Sequence, residues 1–300
     1  METKQPYLSL IIIPDTQYLP GEYPEYLRSM NEKIIKSAAQ LHIPFVLHVG
    51  DIVNSGAQEE KEYEIAASEM RKLSDAEIPY VISPGNHDYD NLLKENRQIT
   101  MFNHYFGPAL YRDKTWFGGV YEQGHAENMF VTFEAAGRSF LILILEFGPR
   151  DDVLAWADQI IKENSERKVI VLTHTFMYIN GERTKEGDTH HPRDYSGAIG
   201  ANDGEEIWNK CIRKHKNVLA VFSGHHVPRN ISYRMDFGDQ GNPVFQSFQN
   251  WQKTRRGGEG RYCIFNFFSN EQEIECAVFH PANNTYEKAS GYRVQMSDLL

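Results

Sequence analysis

Tyr80-Val81-Ile82-Ser83-Pro84-Gly85-Asn86-His87-Asp88 joins a short apolar, β-branched run to a proline-glycine turn and then at once to an amide, an imidazole and a carboxylate. The run has strand length, and Ser-Pro-Gly stops it. The same design recurs on both sides. Leu8 to Ile13, stopped by Pro14, predicts a strand that delivers Asp15, and Phe45 to Val49 predicts one that delivers Gly50-Asp51. Downstream, Val169 to Leu172 leads to His174, and Val218 to Phe222 leads to Gly224-His225-His226. In open α/β sheets ligands collect at the carboxyl ends of the strands. Five strands are therefore expected to bring Asp15, Asp51, Asn86, His174 and His225 to one edge.

Helices alternate with these strands. From Glu25 to Leu41, the residues Leu27, Met30, Ile34, Ala38 and Leu41 recur at three- and four-residue spacing, which marks one buried helical stripe, and Pro44 signals its end. Glu59 to Leu73, Asp151 to Ile161 and Ile207 to His215 are further predicted helices, and Ser139 to Leu145 a further strand. Towards the end the character changes: Val244 to Phe248, Tyr262 to Phe268 and Ile274 to Phe279 predict strands with no clear helix between them. This plan suits helices flanking stacked sheets. No repeat, low-complexity tract or linker divides the chain. Gly181 to Gly204, rich in charge, His and Gly, predicts a long surface loop, and loops of that length are often functional.

The chain has 300 residues, 41% of them hydrophobic and 24% charged, which is ordinary for a folded protein. A formal net charge of -10 gives no basic footprint for nonspecific nucleic-acid binding. It leaves phosphate chemistry open, because bound divalent cations reverse the local sign. Cys211, Cys263 and Cys276 form no close pair in sequence, so free thiols are expected rather than a disulfide framework or a thiolate zinc site. The opening Met1 to Pro6 lacks the apolar stretch of a signal peptide, and no run is long enough to span a bilayer. The chain thus reads as cytoplasmic with no membrane partner, or secreted if a leader has been removed.

Taken singly, Asp15 is a turn or cap residue, Asp51 a loop acid, Asn86 a turn residue, and His174 or His225 a solvated histidine. Five such residues in one positional context argue for a shared task. Carboxylate, amide oxygen and imidazole nitrogen together suit Mn, Fe or Zn.

Gly50-Asp51-Ile52-Val53-Asn54, Gly85-Asn86-His87-Asp88, Leu172-Thr173-His174 and Gly224-His225 resemble the successive blocks of the calcineurin-like metallophosphoesterases, in order and in rough separation. Pro14-Asp15-Thr16-Gln17, the helix bearing Trp156 and Gln249-Asn250-Trp251-Gln252 look like a little-characterised branch of that superfamily. The resemblance implies an α/β fold of two facing mixed β-sheets flanked by helices, a four-layer arrangement, as one domain over residues 1–300. It also implies one or two divalent metal ions per chain (Mn, Fe, Zn or Mg), and hydrolysis of phosphomonoesters or phosphodiesters, on a phosphorylated small molecule, by a metal-bound hydroxide. Carried over by position, Asp51 would bridge two metals, Asn86, His174 and His225 would complete the second site, and Asp15 would belong to the first. His87 would assist the leaving oxygen, with Asp88 orienting its ring.

Two blocks depart from the pattern. Asp-x-His is replaced by Asp15-Thr16-Gln17, and Gly-His-x-His by Gly224-His225-His226-Val227. Both lost imidazoles belong to the first metal. Gln17 still offers an amide oxygen, whereas the Val227 side chain offers nothing. Three outcomes follow: a weak, exchangeable first site held by Asp15, Asp51 and Gln17, which is the preferred one; a site completed by His226, His190 or His191; or a single metal. Alternation in an extended segment predicts that His226 points away from His225. Arg183, Arg193 and Arg229 are candidates to grip phosphate. Tyr18, Tyr23, Tyr89, Phe176 and Tyr178 are candidates to stack on a substrate, with core packing as their ordinary role. The competing functional readings are a catalytically weak or inactive relative that holds a phosphorylated ligand or protein partner, and a metal-dependent hydrolase of carboxyl esters or amides.

Overall fold

The computed structural model describes residues 5–268 and 273–295. One sheet contains β1 (Leu8–Ile13), β2 (Val46–His48) and β3 (Tyr80–Ile82) in parallel, and continues through β11 (Tyr262–Phe267), β12 (Glu273–His280), β13 (Thr285–Tyr286) and β14 (Tyr292–Gln295). The order is β13-β12-β11-β1-β2-β3, with β14 also on β12. The other sheet runs β4-β5-β6-β7-β8-β10-β9, from β4 (Phe117–Val120), β5 (Met129–Ala135), β6 (Arg138–Ile144), β7 (Lys168–Leu172), β8 (Val218–Ser223), β9 (Ile231–Phe237) and β10 (Pro243–Gln249). Within it β6, β7, β8 and β10 are parallel.

The layers follow from side-chain alternation. In β6, Phe140, Ile142 and Ile144 join the core shared with the first sheet, while Leu141 and Leu143 face a second core beneath α5 (Asp151–Glu163) and α6 (Gly204–Lys210). Both faces are buried, which is why such strands read as continuous apolar runs instead of alternating ones. On the far side of the first sheet, α2 (Pro24–Leu41) buries Leu27, Met30 and Ile34, and α3 (Glu60–Asp75) buries Tyr63, Ala66 and Met70. Two short helices, α1 (Leu19–Glu22) and α4 (Thr100–Phe106), complete the set. The arrangement is the predicted one of two mixed sheets between helices.

Three details differ from the sequence reading. The helix expected over Ile207 to His215 begins earlier, because the Asp203 carboxylate accepts from the Glu206 N–H and caps it, and it breaks at Cys211 before a separate turn over Ile212–Lys214. Cys263 and Cys276, far apart in sequence, come together on paired strands β11 and β12, where burial and the neighbouring thiol push the Cys263 thiol up; both remain free. Residues 181–203 do form a long connection, but Arg183, Thr184, His191, Asn202 and Asp203 within it are buried. Among the described residues no helix is long and apolar enough to cross a membrane.

Candidate metal centre

The parallel strands of the two sheets end side by side, and the turns after them carry the polar residues. Asp51 follows Gly50 through two left-handed residues (φ 51° and 105°), a turn that swings its carboxylate back across the strand ends. Asp51 Oδ1 accepts from the His87 main-chain N–H at 3.0 Å. Asp51 Oδ2 lies 3.2 Å from His174 Nε2. His174 Nδ1–H donates to Val49 O at 2.7 Å, so Nε2 is the ring nitrogen that faces Asp51. His225 Nε2–H donates to His190 O at 2.8 Å, leaving Nδ1 as the acceptor nitrogen. One ligand atom each from Asp51, His174 and His225 fall within 4.8 Å of one another, and all three residues are buried.

The charges are strongly coupled. Burial opposes ionisation of Asp51, but His174, His87 and His225 hold its carboxyl well below the usual carboxylate range. Burial likewise disfavours a charged His174, and Asp51 and Asp15 overcome it, raising the ring to about 9. Burial, reinforced by the charge on His174, pushes His225 down to about 3. Asp15 is raised well above the carboxylate range by its own burial.

A family model for the calcineurin-like phosphoesterases matches residues 8–229, a span that contains every one of these donors. The chain belongs to that family. The chain is 25% identical over 277 residues to the uncharacterized protein YvnB of Bacillus subtilis (strain 168), a match that covers 91% of this chain and 20% of YvnB, so the chain spans about a fifth of that relative's length. It superposes on the crystal structure of a dimetal phosphatase from Danio rerio with a TM-score of 0.60 at 11% identity, covering 97% of this chain and 99% of that one, which is a likeness of fold. A weaker superposition, with a TM-score of 0.47 at 10% identity over 96% and 88% of the chains, is with GAP50 of Plasmodium. Membership of this family implies divalent metal ions, and the residues of this chain fit them. Asn86 Oδ1 and Gln17 Oε1 are buried and accept no hydrogen bond. Unpartnered buried acceptors are costly unless a cation completes them.

The part of the site that departs from the family pattern is organised differently. Asp15 Oδ2 accepts from Asn250 Nδ2 at 2.7 Å and from the His225 N–H at 3.2 Å. Gln17 Nε2 donates to Asn54 Oδ1 at 2.7 Å and to His87 Nε2 at 3.1 Å, which fixes the amide and leaves Oε1 as its unpaired end. His87 in turn donates from Nδ1 to Asn54 O at 2.6 Å.

Several expectations are corrected. Asp88 does not orient the His87 ring: its carboxylate accepts from the N–H groups of Ile52, Val53 and Gly85, and so holds the turn that presents Asp51. His226 does not point away from His225, because φ of 75° at His225 breaks the alternation of an extended chain; the two rings pack edge to face at 4.6 Å. His191 uses Nε2 with Asp203 at 3.1 Å and accepts at Nδ1 from the Arg193 N–H, so neither nitrogen is free for a metal. Exposed His190 contributes its main-chain oxygen to His225. Arg183 is buried against Trp208 and paired with Asp236 at 2.5 Å and Glu205 at 3.1 Å, and Arg193 is tied to Glu206 and to Ala201 O at 3.1 Å, so neither is available for phosphate. Arg229 is exposed. Of the aromatics, Tyr89 and Phe176 are core residues, Tyr178 packs on His226, Tyr18 meets Lys253, and Tyr23 packs against the core.

Three contributors were not assigned from sequence: Asn54, Asn250 and Tyr195. Asn250 sits immediately after β10, so the strand-end signal that marked the other donors also marks it. Tyr195 carries no such signal; its ring lies 5.8 Å from His225 and 5.2 Å from Phe147, and burial, Asp51 and Asp194 push its phenol up.

Proposed function

We propose that this phosphoesterase hydrolyses phosphomonoesters or phosphodiesters of a small molecule, with one or two divalent ions per chain, Mn or Mg suiting the oxygen-rich position best. The observation that carries the proposal is the convergence of Asp51, His174 and His225 within 4.8 Å, beside buried acceptors that have no other partner. In this reading Asp51 is shared between two positions. Asn86, His174 and His225 would hold one, and Asp15 and Gln17 would hold the other with Asp51. Bound there, divalent cations supply Lewis acidity at the phosphoryl oxygens and acidify water.

The chain's own residues do the positioning. Asp88 fixes the turn behind Asp51 through three main-chain N–H groups. Val49 O and His190 O select the tautomers in which His174 and His225 present lone pairs. His87, held at Nδ1 by Asn54 O, has Nε2 as its other face; in its protonated form that nitrogen donates to the leaving oxygen, replacing its contact with Gln17.

The test uses p-nitrophenyl phosphate, bis(p-nitrophenyl) phosphate and p-nitrophenyl acetate with Mn, comparing the wild type with Asp51→Asn. Turnover of a phosphoester is expected to drop roughly thousandfold in the variant, the scale of several kcal/mol of transition-state charge stabilisation. Equal rates in the two proteins would eliminate the mechanism. Phosphate binding without turnover in the wild type would put the ligand-holding reading first, and preference for the acetate would put the carboxyl-ester reading first.

A further inference from the structure

The donors and acceptors around the centre are unevenly supplied. Asp15, Asp51, Asn86 Oδ1, Gln17 Oε1 and the lone pairs of His174 and His225 are all acceptors, suited to cations. A phosphoryl group also has oxygens directed away from the cations, and these require hydrogen donors. The cations Arg183 and Arg193 are occupied elsewhere. Asn54, His87, His190 and Tyr195 are among the partly or fully exposed residues beside the buried donors. Asn54 and His87 are engaged with Gln17 and with each other.

Tyr195 differs from these. Its ring is wedged against Phe147 at 5.2 Å and His225 at 5.8 Å, yet its hydroxyl bonds to no described residue. The adjacent Arg193 is tied to Ala201 O and Glu206, whereas the Tyr195 ring packs against Phe147 and His225 at the centre. The platform beneath the phenol is firm. Tyr195 O accepts from the Ala198 N–H at 2.8 Å, the Gly197 N–H donates to Leu92 O at 2.9 Å, and Ser196 Oγ donates to Leu93 O at 2.8 Å. A Cβ at Gly197 would stand 2.4 Å from Leu92 O, so the two segments meet backbone to backbone. The loop is thus riveted to the segment that follows His87 and Asp88, and the phenol is held in place before any ligand arrives.

We infer that Tyr195 is a substrate-contacting residue of this site, donating its phenolic hydrogen to a phosphoryl oxygen beside the position held by His174 and His225. The inference rests on the phosphoester reading above.

The experiment compares wild type and Tyr195→Phe as full chains loaded with Mn. It measures metal content, melting temperature, turnover of p-nitrophenyl phosphate and bis(p-nitrophenyl) phosphate, and the affinity for inorganic phosphate by calorimetry. Phenylalanine keeps the packing on Phe147 and His225, so metal content and melting temperature stay as in the wild type. Turnover as kcat/KM is expected to fall about 10- to 100-fold, as for loss of one donor to developing charge, and phosphate affinity roughly 3- to 10-fold. Values within about twofold of wild type on both measures would overturn the assignment. A wild type that binds phosphate but hydrolyses nothing would remove the phosphoester reading, with the change in phosphate affinity still deciding Tyr195. If the wild type neither hydrolyses nor binds phosphate, both fall.

Discussion

The two halves of the centre are built from different materials on the same strand ends. On one side His174 and His225 each use one ring nitrogen on a main-chain oxygen and keep the other for a ligand, as metal-binding imidazoles do. On the other side an amide and a carboxylate stand in their place, Gln17 pinned by Asn54 and His87, and Asp15 by Asn250 and the His225 N–H. Imidazole nitrogen binds first-row metals more strongly than amide oxygen does. The difference teaches that donors of different type on one set of strand ends are held by different means: ring nitrogens by main-chain oxygens, and the amide and the carboxylate by neighbouring side chains and an N–H. If both halves hold an ion, as the proposed function has it, two unequal affinities are expected.

Three measurements break or sharpen this contrast. His174→Ala should abolish the tight position, with an affinity loss larger than the ~10- to 100-fold that follows removal of an outer partner. Metal content after dialysis, read by elemental analysis, checks it; retention of one tightly held ion would break the comparison. Gln17→His restores an imidazole, and the weaker of two Mn affinities should tighten on the order of tenfold, about 1.4 kcal/mol, in a calorimetric titration. An unchanged weak affinity would mean that Gln17 takes no part in binding. Asn250→Ala removes the 2.7 Å donor to Asp15 and should weaken the same position at the low end, about tenfold, with the His174 side unchanged. Equal loss on both sides would show that the halves are not separable.

The sequence revealed the part of this design that depends on local order. Strands buried on both faces announce themselves as apolar runs, so β1, β2, β3, β6, β7, β8, β10, β11 and β12 were legible with the donors at their ends. Strands without such runs were not. β4 is Phe-Gly-Gly-Val, with little strand propensity, and β9 lies at a sheet edge with an exposed tyrosine and phenylalanine, so its pattern is set by its partner β10. Strand-end position alone also does not make a ligand. Glu146 follows β6 as directly as His174 follows β7, yet its oxygens are engaged by Arg150 at 2.8 Å and by Asn128 at 3.2 Å. The roles of Asn250 and Tyr195 depend on contacts between segments remote in the chain, and no short pattern encodes those. The misreading of His226 has a narrower cause, a single left-handed residue that resets alternation.

Asp15 and Asp51 press directly against polypeptide backbone. A Cβ added at Gly85 would stand 2.2 Å from Asp51 Oδ1, and one at Gly224 would stand 2.2 Å from Asp15 Oδ1. No side chain on that floor can therefore be enlarged to shift either carboxylate, and the spacing between the acids is inherited from how the two sheets are joined. The base of the cup is thus set by backbone contacts, whereas Gln17 and Val227 stand on its walls, where neither of these two contacts restricts the side chain.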